Sequence, residues 1–144
     1  MNNQISILGA GNIGLSIANG LVRSGAYNPK KIILSRRNVK YLKKLAEDGF
    51  NVTENNADAV KFSKILIICV GPQQLKDLLK NIREILTKDH FIISVVSGVS
   101  IKEIKKQLQK KVSIIRAMPN TASSICESMT CLCSDSNNQK FKKA

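Results

Sequence analysis

Short apolar runs alternate with amphipathic stretches along the chain. Residues 5–8, Ile-Ser-Ile-Leu, predict a first strand. Residues 12–24 set Ile13, Ile17 and Leu21 on one helical face, and Gly25 follows as a stop signal. Residues 31–35 predict a second strand. Val39, Leu42 and Leu45 mark a second helix that stops near Gly49. Residues 50–53 predict a short strand and residues 57–62 a short helix. Residues 65–70 are continuously apolar, as in a strand covered on both faces. Pro72 suits the first turn of a helix whose apolar face is Leu75, Leu78, Leu79, Ile82 and Ile85. Residues 91–96 predict another buried strand. Ser100 and Glu103 form a capping-box pattern ahead of Ile101, Ile104 and Leu108. Residues 112–116 predict a further strand, and residues 129–133 one more.

This alternation predicts an α/β fold: a doubly wound, mainly parallel Rossmann sheet with helices on both faces and right-handed crossovers. The 144 residues suffice for one compact domain and not for two. Residues 1–133 are expected to form it, with 134–144 a polar tail. In such sheets ligands sit at the carboxyl ends of the strands, near the point where strand order reverses.

That position holds Gly9-Ala10-Gly11-Asn12-Ile13-Gly14, a G-x-G-x-x-G between a strand and a helix. In this context the pattern is a dinucleotide fingerprint. Gly9 permits the tight turn, Gly11 lets the backbone approach a pyrophosphate, and Gly14 allows close packing of helix on sheet. The helix N-terminus offers N–H groups and a positive dipole end to phosphates. A chance glycine turn is the alternative. Dinucleotide folds selective for NAD place an acid about 20 residues further on, on the ribose 2′-hydroxyl. Here the second strand ends in Ser35-Arg36-Arg37 with no acid. A hydroxyl and a guanidinium fork suit a 2′-phosphate, so the expected cofactor is NADP(H). Val70-Gly71-Pro72 and Ser97-Gly98, at two further strand ends, are expected to line the same crevice.

Charge and cysteine usage add exclusions. The net charge is +13, but the lysines are dispersed and aromatics make up 4% with no Trp, so base-stacking platforms and a nucleic-acid partner are not expected. No apolar run approaches the roughly 20 residues of a membrane-spanning helix. The start lacks the basic-then-apolar pattern of a secretory signal, and a cytoplasmic protein is expected. Cys69 lies in an apolar run and reads as core. Cys126, Cys131 and Cys133 lack CxxC spacing, and the single histidine, His90, is remote from them, so no metal site is expected. His90 is placed at a strand entrance, titrating in solvent.

The segments ILGAGNIG, SRR, ICVGPQQ, ISVVSGVSI, IIRAMPNTAS and ESMT come in an order that resembles the successive signatures of pyrroline-5-carboxylate reductases. They span nearly the whole chain, and Met118-Pro119-Asn120-Thr121 is the most specific. The resemblance implies NAD(P)H-dependent reduction of the cyclic imine 1-pyrroline-5-carboxylate to L-proline, with an imino acid as the small-molecule partner. It implies that Leu8, Gly9, Ala10, Gly11, Asn12 and Ile13 hold the pyrophosphate. It puts Ser35 and Arg36 on the 2′-phosphate and Asn56 on the adenosine side. Cys69, Val70, Gly71 and Pro72, with Val96, Ser97 and Gly98, would flank the cofactor toward its nicotinamide, and Asn120 would lie beside nicotinamide and substrate. No catalytic residue is nominated.

Some positions depart from that family's pattern. Gly71 stands where its members carry Lys, Ala122 where they carry Pro, and Cys126-Glu127-Ser128 in place of a glycine-rich segment. The C-terminal helical dimerisation domain of the family is absent, so a fragment is expected: it would bind cofactor without turnover, and homo-oligomers would form only in the full-length protein. Two other readings fit the fingerprint: a reductase of another imine or of coenzyme F420, and a non-catalytic NADP(H)-binding regulatory module.

Overall fold

The computed structural model describes residues 4–119 and 129–134. The elements are β1 (Ile5–Leu8), α1 (Asn12–Arg23), β2 (Ile32–Ser35), α2 (Val39–Glu47), β3 (Asn51–Thr53), α3 (Asn56–Phe62), β4 (Ile65–Ile68), α4 (Pro72–Ile82), β5 (Phe91–Ser94), α5 (Ile101–Leu108), β6 (Ser113–Pro119) and β7 (Thr130–Ser134). The strands form one sheet in the order β3-β2-β1-β4-β5-β6-β7. All pairs are parallel except β6 with β7. The predicted doubly wound sheet is therefore present, with an antiparallel edge.

Alternation along the strands sends neighbouring side chains to opposite faces. Ile7, Ile32 and Leu34 pack beneath Ala18 of α1 on one face. Leu8, Ile68 and Ile92 pack with Leu79 of α4 and Ile104 of α5 on the other. Both faces are covered, which is why the central strands are apolar throughout. The capping box at α5 forms as predicted: Ser100 Oγ accepts from the Glu103 N–H at 3.2 Å, and Glu103 Oε2 accepts from the Ser100 N–H at 2.8 Å. That carboxylate is held below its usual pKa by its bonds to Ser100. A 3-10 turn at Pro29–Lys31, capped by Asn28, precedes β2 and has no apolar period that would announce it.

Strand bounds differ from the apolar runs for two reasons. β4 and β5 stop at Ile68 and Ser94, although the apolar runs continue to Val70 and Val96. One further ladder bond follows each, Cys69 N–H to Leu8 O at 2.8 Å and Val95 N–H to Ile68 O at 3.0 Å, and then the chain leaves the sheet. Val96 remains apolar because it still caps the core. β6 instead runs past Arg116 to Pro119, because β7 pairs alongside it, Arg116 opposite Cys133 and Pro119 opposite Thr130.

His90 corrects the sequence reading. It does sit at the entrance to β5, but it is 4% exposed and does not face solvent. Its Nδ1 accepts the Thr87 N–H at 3.0 Å, and Nε2 lies 3.3 Å from the Val60 carbonyl, which takes its proton. Both ring nitrogens are thus used by the neutral form. Burial pushes its pKa below the ordinary histidine value, with Lys64 adding to the effect. A histidine depressed in the folded state contributes stability above the unfolded pKa, about 6.5, that is lost as pH falls through the lower folded value. The denaturant midpoint of the wild type is therefore expected to fall as pH drops from 7.5 to 5. The same titration of His90→Gln should start lower by about 1–3 kcal/mol, for the lost pairing, and should change less with pH. Parallel pH profiles for the two proteins would contradict the assignment.

Candidate functional site

A crevice of about 630 Å³ opens at the carboxyl ends of β1, β2 and β4. β1 lies between β2 and β4, so this is the point where strand order reverses. Its floor is the Gly9–Gly11 turn. Gly9 has φ +101°, and a β-carbon there would stand 2.8 Å from the Cys69 carbonyl oxygen. A β-carbon at Gly14 would stand 2.5 Å from the Gly9 carbonyl oxygen, so helix α1 rests directly on the turn. Gly11 is different. It has φ −87°, which any residue adopts, and no atom of the protein lies within 4 Å of where its β-carbon would be. The fold therefore requires Gly9 and Gly14 but leaves the face of Gly11 open. No side chain caps the α1 N-terminus, and its first turn holds no acid.

The turn is pinned to the end of β2. The Ser35 carbonyl accepts the N–H groups of Gly9 at 3.1 Å and Ala10 at 2.9 Å. Ser35 is buried, and its hydroxyl donates to Asn56 Oδ1 at 2.5 Å. The hydroxyl expected to meet a 2′-phosphate thus donates toward α3, which brings Ser35 and Asn56 together. Arg36 donates from Nη1 to the Ala10 carbonyl at 2.9 Å, and its guanidinium lies 3.9 Å above the Tyr41 ring. This is cation–π geometry and leaves the guanidinium held over the crevice rim. Tyr41, on α2, was not singled out from the sequence; an aromatic five residues after Arg36 was its only signal. Arg37 and Asn38 also line the crevice, and Asn38 caps α2 by accepting the Lys40 N–H at 3.1 Å.

The other predicted residues divide into two groups. Cys69, Val70 and Gly71 line the crevice. Burial pushes the Cys69 thiol up to about 12, so it stays protonated and is no nucleophile. Gly71 has φ −65°, so its backbone would accept any residue, and the nearest atoms a β-carbon there would meet are those of the Gln73 amide, at 3.0 Å. Pro72 is the first residue of α4, and Gln74 Oε1 accepts the Gly71 N–H at 3.3 Å. Leu8 is fully buried and can contribute only backbone; Asn12 and Ile13 are exposed on the first turn of α1. Val96 is core, while Ser97 and Gly98 are exposed at the end of β5, outside the crevice lining. Asn120 lies outside the described residues. The reading from strand ends missed one wall altogether: Gln73, Gln74, Asp77, Leu78 and Asn81 of α4. Among the described residues no group of three or more His, Cys, Asp or Glu could hold a metal, and no helix is long and apolar enough to cross a membrane.

Residues 4–98 match the family model described as "NADP oxidoreductase coenzyme F420-dependent". The chain belongs to that family. Within it, the chain is 49% identical over 139 residues to pyrroline-5-carboxylate reductase 1 of Dictyostelium discoideum, covering 96% of this chain and 25% of that protein. It is 48% identical over 139 residues to pyrroline-5-carboxylate reductase 2 of the same organism, covering 94% of this chain and 46% of that one. A solved pyrroline-5-carboxylate reductase from Coxiella burnetii superposes with a TM-score of 0.91 at 32% identity, over 99% of this chain and 53% of that chain. The Plasmodium falciparum pyrroline carboxylate reductase with NADP bound shares the fold, with a TM-score of 0.86 at 22% identity. The resemblance read from the sequence is borne out, and the chain spans from a quarter to about half of the length of these proteins.

The three glycines predict separable effects. Gly9→Ala and Gly14→Ala should each lower stability by about 1–3 kcal/mol, from strain at positive φ and from overpacking. Gly11→Ala should cost less than about 1 kcal/mol, the difference between the two residues as helix N-caps. Urea denaturation of the three variants decides it; three equal losses would mean that Gly11 is also held by the fold.

Proposed function

We propose that this chain is the NADP(H)-binding part of a reductase that converts 1-pyrroline-5-carboxylate to L-proline. The observation that carries the proposal is the pairing of an open Gly11 turn with a cation, Arg36, held at the end of β2. The names of the relatives support the substrate, and the NADP in the Plasmodium falciparum neighbour supports the cofactor.

The residues present fit a dinucleotide. The free N–H groups of the first turn of α1 and the open face of Gly11 would receive a pyrophosphate. Arg36 would pair with a 2′-phosphate, its ring contact with Tyr41 lowering the entropy lost on binding. Asn56 would meet the adenosine ribose from the other side of Ser35. Val70 would keep the nicotinamide end apolar, with Gly71, Pro72, Ser97 and Gly98 at its edges and Asn120 beside it, while Val96, 1% exposed, would support that edge from the core. When bound, the cofactor supplies the hydride for the imine carbon. This chain's task is to orient and to exclude water, and no side chain here need act as a base. Most substrate contacts, and any homo-oligomer, belong to the remaining half of the protein. The same reading puts the protein in the cytoplasm, where the free thiols of Cys131 and Cys133 stay reduced. A second reading, hydride exchange with coenzyme F420, has the wording of the family model in its favour; assaying the full-length protein with each substrate separates the two.

Calorimetric titration of the 144-residue chain should show NADPH bound at least tenfold more tightly than NADH, about 1.4 kcal/mol. Arg36→Ala should weaken NADPH far more than NADH. No binding, or equal losses for both dinucleotides, would refute the proposed site. Steady oxidation of NADPH with pyrroline-5-carboxylate by this chain alone would refute the division of labour between the two halves.

A further inference from the structure

The crevice extends past the glycine turn along α4, and that wall has a composition the phosphates do not explain. Gln73, Asp77 and Asn81 recur every four residues, so they share one face of the helix. Leu78, 4% exposed, adds an apolar residue to the same lining. The same crevice is lined by Asn56 at the head of α3 and by Arg36, whose guanidinium has one face taken by Tyr41.

Asp77 is the residue that needs explaining. A carboxylate lining a crevice for a polyanion lowers affinity by Coulomb repulsion, even when screened. It has no hydrogen-bond or ion-pair partner among the described residues, although the chain as a whole carries a net charge of +13. Asp77 lies five residues beyond Pro72 in α4, about 7.5 Å along the axis at 1.5 Å per residue. That distance takes it away from the strand ends, where the glycine turn and the phosphates belong. A carboxylate there can accept hydrogen bonds from a neutral donor on a bound ligand.

We infer that the α4 wall reads the edge of the adenine base, with Asp77 accepting from the exocyclic amino group and the amides of Gln73 and Asn81 serving the ring nitrogens. The inference rests on the proposed NADP(H) site and deepens it: the crevice that Arg36 and Leu78 both line takes the purine, and the acid selects adenine from bases that carry a carbonyl at the same position. Asp77 is thus a specificity-determining residue for the dinucleotide.

The test uses NADPH and its deamino analogue, in which hypoxanthine replaces adenine and a carbonyl replaces the amino group. Calorimetric titration of the wild type should favour NADPH by about tenfold, the effect of one hydrogen bond to a charged group. Asp77→Asn should bring that ratio to one or invert it, because an amide can donate to the carbonyl. Asp77→Ala should abolish it while both dinucleotides still bind. Asp77 is exposed, so these variants keep the fold, and the preference for NADPH over NADH, set by Arg36, should stay unchanged in both. A wild-type ratio near one, or a ratio that survives Asp77→Asn, overturns this inference alone. No binding of NADPH to the wild type overturns it together with the proposed function.

Discussion

The site depends on one backbone contact, that of Gly14 with the carbonyl of Gly9, where a β-carbon would have 2.5 Å. Because α1 can come this close, its N-terminus ends directly over the carboxyl end of β1. The turn between them is then held from the side by the Ser35 carbonyl, which takes the N–H groups of Gly9 and Ala10. From that pin the rest follows in short steps. Ser35 turns its hydroxyl to Asn56. Arg36, the next residue, reaches back to the Ala10 carbonyl. Three chain segments, after β1, after β2 and at the head of α3, are thus locked by four hydrogen bonds. A shift in the glycine turn would carry Arg36 with it.

The opposite end of the sheet explains why Asn56 is so well placed. Ser6 is a fully buried polar residue in the middle of β1. Its hydroxyl donates to the Ala59 carbonyl at 2.5 Å and lies 2.9 Å from Ser63 Oγ, both belonging to α3 or its C-cap. His90 reaches the Val60 carbonyl of the same helix. A seven-residue helix is too short to be stable by itself. These bonds dock it on the sheet, and Asn55 caps it by accepting the Ala57 N–H at 2.9 Å. Ser6, Ser63 and His90 are each paired, and together they fix the helix that presents Asn56 to the crevice.

The repeating βα order was legible because both faces of the sheet are covered: the strands read as apolar runs and the helices as apolar stripes. The glycine turn was legible because positive φ at Gly9 and crowding at Gly14 admit no other residue. Other features were hidden for definite reasons. The full length of β6 depends on pairing with β7, a contact between distant residues. Arg116, where the apolar run ends, says nothing of it. His90 reads as a solvent group because its partners, the Val60 carbonyl and the N–H and hydroxyl of Thr87, form no pattern in the sequence that announces a buried ring. The α4 wall was missed because Gln73, Asp77 and Asn81 have the composition of any solvated helical face. Only the fold shows that this face looks into a crevice.

Charge distribution links the wall to the turn. Among the residues that line the crevice the cations come from one side, Arg36 and Arg37 at the end of β2; exposed Lys40, Lys43 and Lys44 on α2, like exposed Lys76 and Lys80 on α4, are not part of the lining. The β4 side contributes Gly71 and polar, uncharged Gln73 and Gln74, with Asp77 beyond. A crevice built to attract any anion would be basic on both walls. One basic wall facing an amide and carboxylate wall fits a ligand with phosphates on one side and a neutral, hydrogen-bonding base on the other. The fields of α2 and α1 would draw such a ligand in, and the α4 wall would decide its orientation, because turning it round would set a phosphate against Asp77.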